Sequence, residues 1–371
     1  MRRSALALII LFAASACRGR EYLAALPNAG GEVPSGVVAL VAAAEAPHRA
    51  SRAVLIHPAS GAATELELIQ NAQLKEIYQD TKLIVDQYAL SRLGKIAQLA
   101  PHAHGKNKSY FACSLSPQRY FVACQISTGI SVVDVTTGAE QVHKGSYRSC
   151  SWGAAKRLIC LEGSYQKENR IVAIDPHEKP ITTIAQNDKD RITGLTADAG
   201  TGRIAYATGK DQSWIFWRKQ SLTAAPERLG EISGHYIFDA RISPLGVVAA
   251  RVAAAENREG ILRPRNIWVS PEFGGRKGQL LDLAELPAPG FFSGSGFGGV
   301  ESFDFSPDGM SLAILMSGEN DCRMVDEGGN IACRLNVHIF DSRAGELKQL
   351  THFRATELRS VLWRSSLKAN D

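Results

Sequence analysis

Apolar and polar residues alternate with a period of two along much of this chain, and the alternating runs come in pairs joined by turn residues. The clearest stretch runs from Phe303 to Thr351. Phe303 and Phe305 alternate before Ser306-Pro307-Asp308-Gly309, and Leu312 and Ile314 alternate after it. Proline pre-sets φ for the first central position of a type I turn, and glycine supplies the positive φ that returns the chain as a hairpin. A third strand is predicted at LNVHIFD, where Leu335, Val337 and Ile339 share a face, and Asp341 to Gly345 turns it into a fourth, ELKQLT. The segment thus predicts four antiparallel strands in a row.

The turn recurs. Ser243-Pro244-Leu245-Gly246 and Ser116-Pro117 sit between apolar runs of the same kind. Ser116 and Ser243 are about three periods of roughly 42 residues apart, the spacing of four-stranded propeller blades, and Ser306 follows after one period plus an insertion. Copies without proline lie at 146–160 and 191–207. The chain's ends are complementary: 357–366 reads as a first strand with no second, and 36–46 as a second strand with no first. A propeller joins its first and last blades, so the C-terminal strand is expected to complete the N-terminal blade. The expected fold is all-β, a single propeller of about seven blades near 36–70, 74–100, 109–143, 146–185, 191–230, 236–283 and 300–351.

F-x-F-S-P-D-G-x-x-L-A at 303–313 and I-F-D-x-x-x-G-E-x-x-Q-L-T at 339–351 resemble the TolB-type, WD40-like propeller repeat of bacterial envelope proteins. The resemblance implies a propeller in the cell envelope. It says little about activity, since sites are grafted on folds.

Composition adds a compartment. Met1 to Ala16 holds two arginines, a short apolar run and small residues, the layout of a secretory signal rather than a membrane span. No second apolar run is long enough to cross a bilayer as a helix. Ala14-Ser15-Ala16 precedes Cys17, which resembles the lipobox of bacterial lipoproteins with alanine in the place of the usual leucine. Expected organisation is therefore a signal at 1–16, an anchor and linker at 17–35 with a lipidated Cys17, and a propeller at 36–371. The other six cysteines form close pairs ten or eleven residues apart: Cys113 with Cys124, Cys150 with Cys160, and Cys322 with Cys333. The first two pairs flank hairpin turns, and the third brackets an excursion between second and third strands. In an exported chain this spacing predicts three disulfides and leaves Cys17 as the odd one. The formal net charge of +5 comes from scattered residues, which argues against a nucleic-acid partner.

Candidate chemistry is thin. Gly294 to Gly299 spells G-x-G-x-x-G, but a strand-like VESFDFS follows where a dinucleotide site needs a helix. Gly294 and Gly296 read better as part of a binding loop at the rim. His102 and His104 could share a strand face as half a metal site, with His57, His235 or His338 as a distant third ligand. The acidic residues of 319–327 lack the spacing of a calcium loop. Trp214 and Trp217 suit inter-blade packing, or stacking on a ligand. There is no G-x-S-x-G, H-E-x-x-H or P-loop. No catalytic residue, metal or cofactor is assigned. The expectation is an exported scaffold, anchored to a membrane, the outer one being favoured, that binds a periplasmic or outer-membrane protein or a cell-wall component. The rival reading is a propeller polysaccharide lyase with a metal in its central channel.

Overall fold

Strands made of alternating residues need two buried faces if they are to stand edge-on around a hub, and this requirement organises the protein. The computed structural model describes residues 36–43, 46–66, 110–116, 121–134, 137, 139–163, 170–177, 182–187, 189–255, 264–273, 279–281, 283, 299–317, 322–324, 331–333, 335–351 and 358–364. Helical structure among them is confined to a 3-10 turn, Ala154–Lys156, and to Phe273.

Among the described residues, six antiparallel four-stranded sheets follow one another. Blade I joins β1 (Gly36–Ala43), β2 (Ala46–Ile56) and β3 (Ala63–Leu66) to β26 (Leu358–Arg364). Blade II contains β4 (Tyr110–Leu115), β5 (Phe121–Ile126), β6 (Gly129–Asp134) and β7 (Glu140–Lys144). Blade III contains β8 (Tyr147–Trp152), β9 (Leu158–Glu162), β10 (Arg170–Ile174) and β11 (Thr182–Gln186). Blade IV contains β12 (Arg191–Ala197), β13 (Ile204–Lys210), β14 (Ser213–Lys219) and β15 (Glu227–Ile232). Blade V contains β16 (His235–Ile242), β17 (Val248–Ala254), β18 (Asn266–Val269) and β19 (Gln279–Leu281). Blade VI contains β20 (Gly299–Phe305), β21 (Ser311–Ser317), β24 (Asn336–Asp341) and β25 (Glu346–Gln349), with a two-stranded ribbon of β22 (Cys322–Met324) and β23 (Ile331–Cys333) inserted. The expected C-terminal closure of blade I is present, with Val37 opposite Trp363 and Leu40 opposite Ser360. The blade expected at 74–100, and with it His102 and His104, lies outside the described residues, as do Cys17, Gly294 and Gly296.

The core is divided among the seams between blades. In β21, Leu312, Ile314 and Met316 pack toward blade V with Phe303 and Phe305. Ala313 and Leu315, pointing the other way, pack toward blade I with Val37, Val54 and Ile56. The same two-sided arrangement holds in β9, where Leu158 and Cys160 face blade II and Ile159 and Leu161 face blade IV. Middle strands therefore read as nearly continuous apolar runs, and every blade depends on its neighbours for burial.

The recurring serine has a definite task. The Oγ atoms of Ser116, Ser243 and Ser306, all buried, accept the backbone N–H that opens the second strand: Phe121 at 3.1 Å, Val247 at 3.1 Å and Ser311 at 2.9 Å. Gly246 and Gly309 then take φ of 88° and 67° and donate to the serine carbonyls at 2.8 Å.

Of the expected disulfides, Cys150–Cys160 is formed, with Cα atoms 4.2 Å apart. Cys124 is also disulfide-bonded, and Cys322 lies opposite Cys333 in register.

Candidate functional site

The six first strands carry one pattern that strict alternation does not predict. Their apolar positions are spaced three and then two: Tyr110, Cys113, Leu115; Tyr147, Cys150, Trp152; Ile192, Leu195, Ala197; Ile237, Ala240, Ile242; Val300, Phe303, Phe305; and Leu358, Val361, Trp363. In every case the pairing with the second strand slips at the wider step, a β-bulge. A bulge inserts one residue and re-aims a side chain. Val300 and Phe303 can both stay in the core, at 2% and 1% exposure, because the extra residue between them is turned out.

Directly after the first apolar residue of each strand stand Phe111, Arg148, Thr193, Phe238, Glu301 and Arg359. Consecutive first strands contact one another from β8 through β12, β16 and β20 to β26, so Arg148, Thr193, Phe238 and Glu301 follow a common inner face. Phe238 is 43% exposed and Glu301 is exposed, while Arg148 and Thr193 are half-buried. Ordinary alternation with Ala240 and Ile242 would have sent Phe238 into the core.

The inner face is rigidly backed. Arg251 of β17 forms an ion pair with Asp239 at 2.6 Å and donates to the Val300 carbonyl at 3.0 Å and to that of Glu301. Its guanidinium lies 5.9 Å from the Phe238 ring centroid, within cation–π range. One group thus fixes the exposed ring of blade V and the exposed carboxylate position of blade VI. Neighbouring first strands are stitched one position before their last apolar residue. Trp152 Nε1 donates to the Ser114 carbonyl at 3.2 Å, the Ala197 N–H to Ser151 Oγ at 3.3 Å, and the Trp363 N–H to Asp304 Oδ2 at 2.9 Å.

Other sequence candidates fall elsewhere. Trp214 is buried in the seam between blades IV and V, and its Nε1 donates to the His235 carbonyl at 2.8 Å. Trp217 packs on the opposite side, against blade III, and donates to Thr208 Oγ1 at 2.8 Å. Three residues apart on one strand, the two rings face different blades, so they make two packing contacts rather than one stacking surface. Phe216, between them in sequence, stacks on Trp268 with centroids 3.7 Å apart. His57 lies in the turn after β2, His235 opens β16, and His338 is buried in β24. Among the described residues no three His, Cys, Asp or Glu side chains converge closely enough to hold a metal ion. The buried Arg218 is a seam tie, bonded to the Gly246 carbonyl at 2.8 Å and to Glu227 and Glu272 at 2.8 Å. Lys219 likewise reaches the Ile184 carbonyl at 3.1 Å, and burial holds its ammonium below the ordinary lysine value.

What the inner face offers chemically is display: an aromatic, a carboxylate, a guanidinium and a hydroxyl, one per blade, on fixed strands. Sequence reasoning missed these residues, although the three-then-two spacing was there to find.

No protein-family model matches the sequence, and no curated protein matches it. Solved structures do. Hydrazine synthase of Kuenenia stuttgartiensis matches at 14% identity over 64% of each chain, with a TM-score of 0.42. A putative TolB from Agrobacterium tumefaciens matches at 12% over 68% of this chain and 83% of its own, with a TM-score of 0.41. TolB from Acinetobacter baumannii matches at 14% over 81% of this chain and 65% of its own, with a TM-score of 0.38. The first and third are thus matched over less than two thirds of their length. Likeness at this level carries no functional weight. The strand order itself defines a propeller-type protein built from four-stranded blades, and TolB proteins are among the solved structures similar to it.

Proposed function

We propose that this chain is an exported binding scaffold of the bacterial periplasm, anchored through a lipid on Cys17, that captures a partner protein on its inner face. The observation that carries the reading is the bulge in the first strands, which in blades III to VI turns Arg148, Thr193, Phe238 and Glu301 toward one common wall. Interfaces draw their energy from a few anchored aromatic and charged residues, and the exposed Phe238 backed by Arg251 has that character. Catalysis would instead need a nucleophile and base, a carboxylate pair or a metal in mutual geometry. Export is supported by the signal layout of 1–16 and by the Cys150–Cys160 bond, since disulfides persist in oxidising compartments.

The test is site-specific photo-crosslinking in the native envelope from Thr193 and from Phe238, with Val142 on the outermost strand of blade II as the comparison position. A discrete adduct from the inner positions, absent from Val142, supports the scaffold. Adducts that are equal at all three, or absent at all three, would overturn it.

A further inference from the structure

Among the described strands, Ser149 is the one residue other than glycine in a left-handed conformation, with φ of 45° in the middle of β8. Blade IV fills the same place, two residues after the first apolar position of its strand, with Gly194 at φ of 59°. Glycine takes that conformation freely, whereas serine crowds its Cβ against the following carbonyl oxygen. The next residue differs as well. In blade IV it is Leu195, held by packing alone, and in blade III it is Cys150, bonded to Cys160.

The bond sits at the centre of the bulge. Arg148 pairs with Leu161 and Ser151 with Ile159, so Ser149 and Cys150 together oppose Cys160. Cys160 is fully buried, Cys150 is half-buried and Ser149 is exposed. Arg148, which blade III contributes to the inner face, directly precedes the strained residue. Where a serine stands in place of glycine, a covalent tie to β9 stands beside it.

We propose that Cys150–Cys160 is a thiol-exchange site, and that its reduction by an external dithiol frees the bulge of blade III. A thiolate of the reductant attacks Sγ of Cys150, the more exposed of the two cysteines. The bond between the sulfurs breaks, and Cys160 leaves as a thiolate that takes up a proton. The second thiol of the reductant then displaces Cys150 from the mixed disulfide, so the reductant ends as a disulfide and the protein as two thiols. Without the tie Ser149 relaxes to negative φ, and Arg148 loses its fixed direction. Tyr147 and Trp152, at 5% and 3% exposure, stay anchored in the core, which confines the change to the residues between them. Because reduction releases the strain at Ser149, the strain in turn makes this bond easier to reduce. The exchange chemistry does not depend on the scaffold reading; only its effect on a partner held at Arg148 rests on that reading.

The experiment equilibrates the intact protein in mixtures of reduced and oxidised dithiothreitol and quenches it in acid. Labelling after unfolding and peptide mass spectrometry then read Cys150 and Cys160 apart from the other cysteines. Ser149→Gly accepts the left-handed conformation and is expected to lower the equilibrium constant for reduction about fivefold, the effect of one strained residue. Ser149→Asn, which tolerates that conformation less fully, is expected to lower it by a smaller factor. In hydrogen exchange, reduction of the wild type should speed the amides of 147–152 by about tenfold or more while those of β13 keep their rate. The Cys150→Ala, Cys160→Ala double variant should show the same fast exchange without reductant. Equal reduction constants in all three proteins, a rise in either serine variant, unchanged exchange at 147–152, or an equal rise in β13 would overturn the proposal. None of these measurements uses a partner, so they stand whether or not the inner face captures one.

Discussion

Asp239 and Arg251 stand 2.6 Å apart, at side-chain exposures of 30% and 17%, and through this pair the extra residue of one blade is fixed to the backbone of the next. Removing the carboxylate leaves a half-buried guanidinium without its counter-charge. Asp239→Ala is expected to lower stability by about 1–3 kcal/mol in urea unfolding, between the values for exposed and for fully buried pairs. A double-mutant cycle with Arg251→Met isolates the pair. A coupling indistinguishable from zero would show that the clamp is only geometric.

Phe238→Ala is expected to behave in the opposite way. Its ring is 43% exposed, so stability should change by less than about 1 kcal/mol, while crosslinking or co-purification of the partner falls sharply. A variant that loses stability and keeps its partner would place Phe238 in the structural core instead.

Ser306 supports the turn between β20 and β21. Its hydroxyl accepts the Ser311 N–H and donates to Asp308 Oδ1 at 2.5 Å, and that donation is the main cause holding the Asp308 carboxyl below its ordinary value. Ser306→Ala should cost about 1 kcal/mol of stability and raise the Asp308 pKa toward the ordinary range. Carbon-detected NMR titration of the carboxylate reads the second effect without reference to unfolding.

Cys150 and Cys160 close a short loop across the bulge of blade III. Replacing both with alanine is expected to lower stability by roughly 2–3 kcal/mol, the loop-closure term for about ten residues. Reducing the wild type should reproduce the loss, and the variant should no longer respond to that bond's reduction. Equal sensitivity of both proteins to reductant would assign the effect to other cysteines.

His143 predicts the acid response of the seam between blades II and III. Burial pushes its imidazole below the ordinary 6.5, with the charge of Asp175 acting in the other direction. Its Nε2 is buried without a hydrogen-bond partner. The unfolded chain therefore binds this proton at higher pH than the folded protein does. The stabilising contribution is complete above the unfolded value and is lost as pH falls from about 6.5 toward the lowered folded value. His143→Gln should flatten stability across that window in urea titrations at several pH values. An unchanged slope would remove His143 as the cause.

Much of the architecture could be read because a few residue types restrict the backbone strongly. Pro307 and Gly309 fix a turn wherever they occur, and the six cysteines mark register across hairpins. The pairing of β26 with β1 followed from two half-blades that had no local partners. The inner face was not readable from alternation, because in HYIFDARI the residues Tyr236, Phe238, Ala240 and Ile242 form an unbroken period of two. The competing pattern of Ile237, Ala240 and Ile242 wins in the fold because burying Ile237 and Ala240 together requires the bulge. Trp214 and Trp217 suit inter-blade packing from sequence, and the parity of their spacing sends the two rings to different seams.

The pairing of β26 with β1 also sets an order of assembly. During synthesis β1 is made before any other described strand, yet one of its edges has no partner until residues 358–364 have been made. Throughout that interval the apolar row Val37, Ala39 and Val41 remains on an open strand edge, the kind of edge that pairs with other chains. The first blade begun is thus the last one finished. A chain interrupted before β26 would keep that edge open and present its N-terminal sheet to any holdase, protease or second nascent chain within reach.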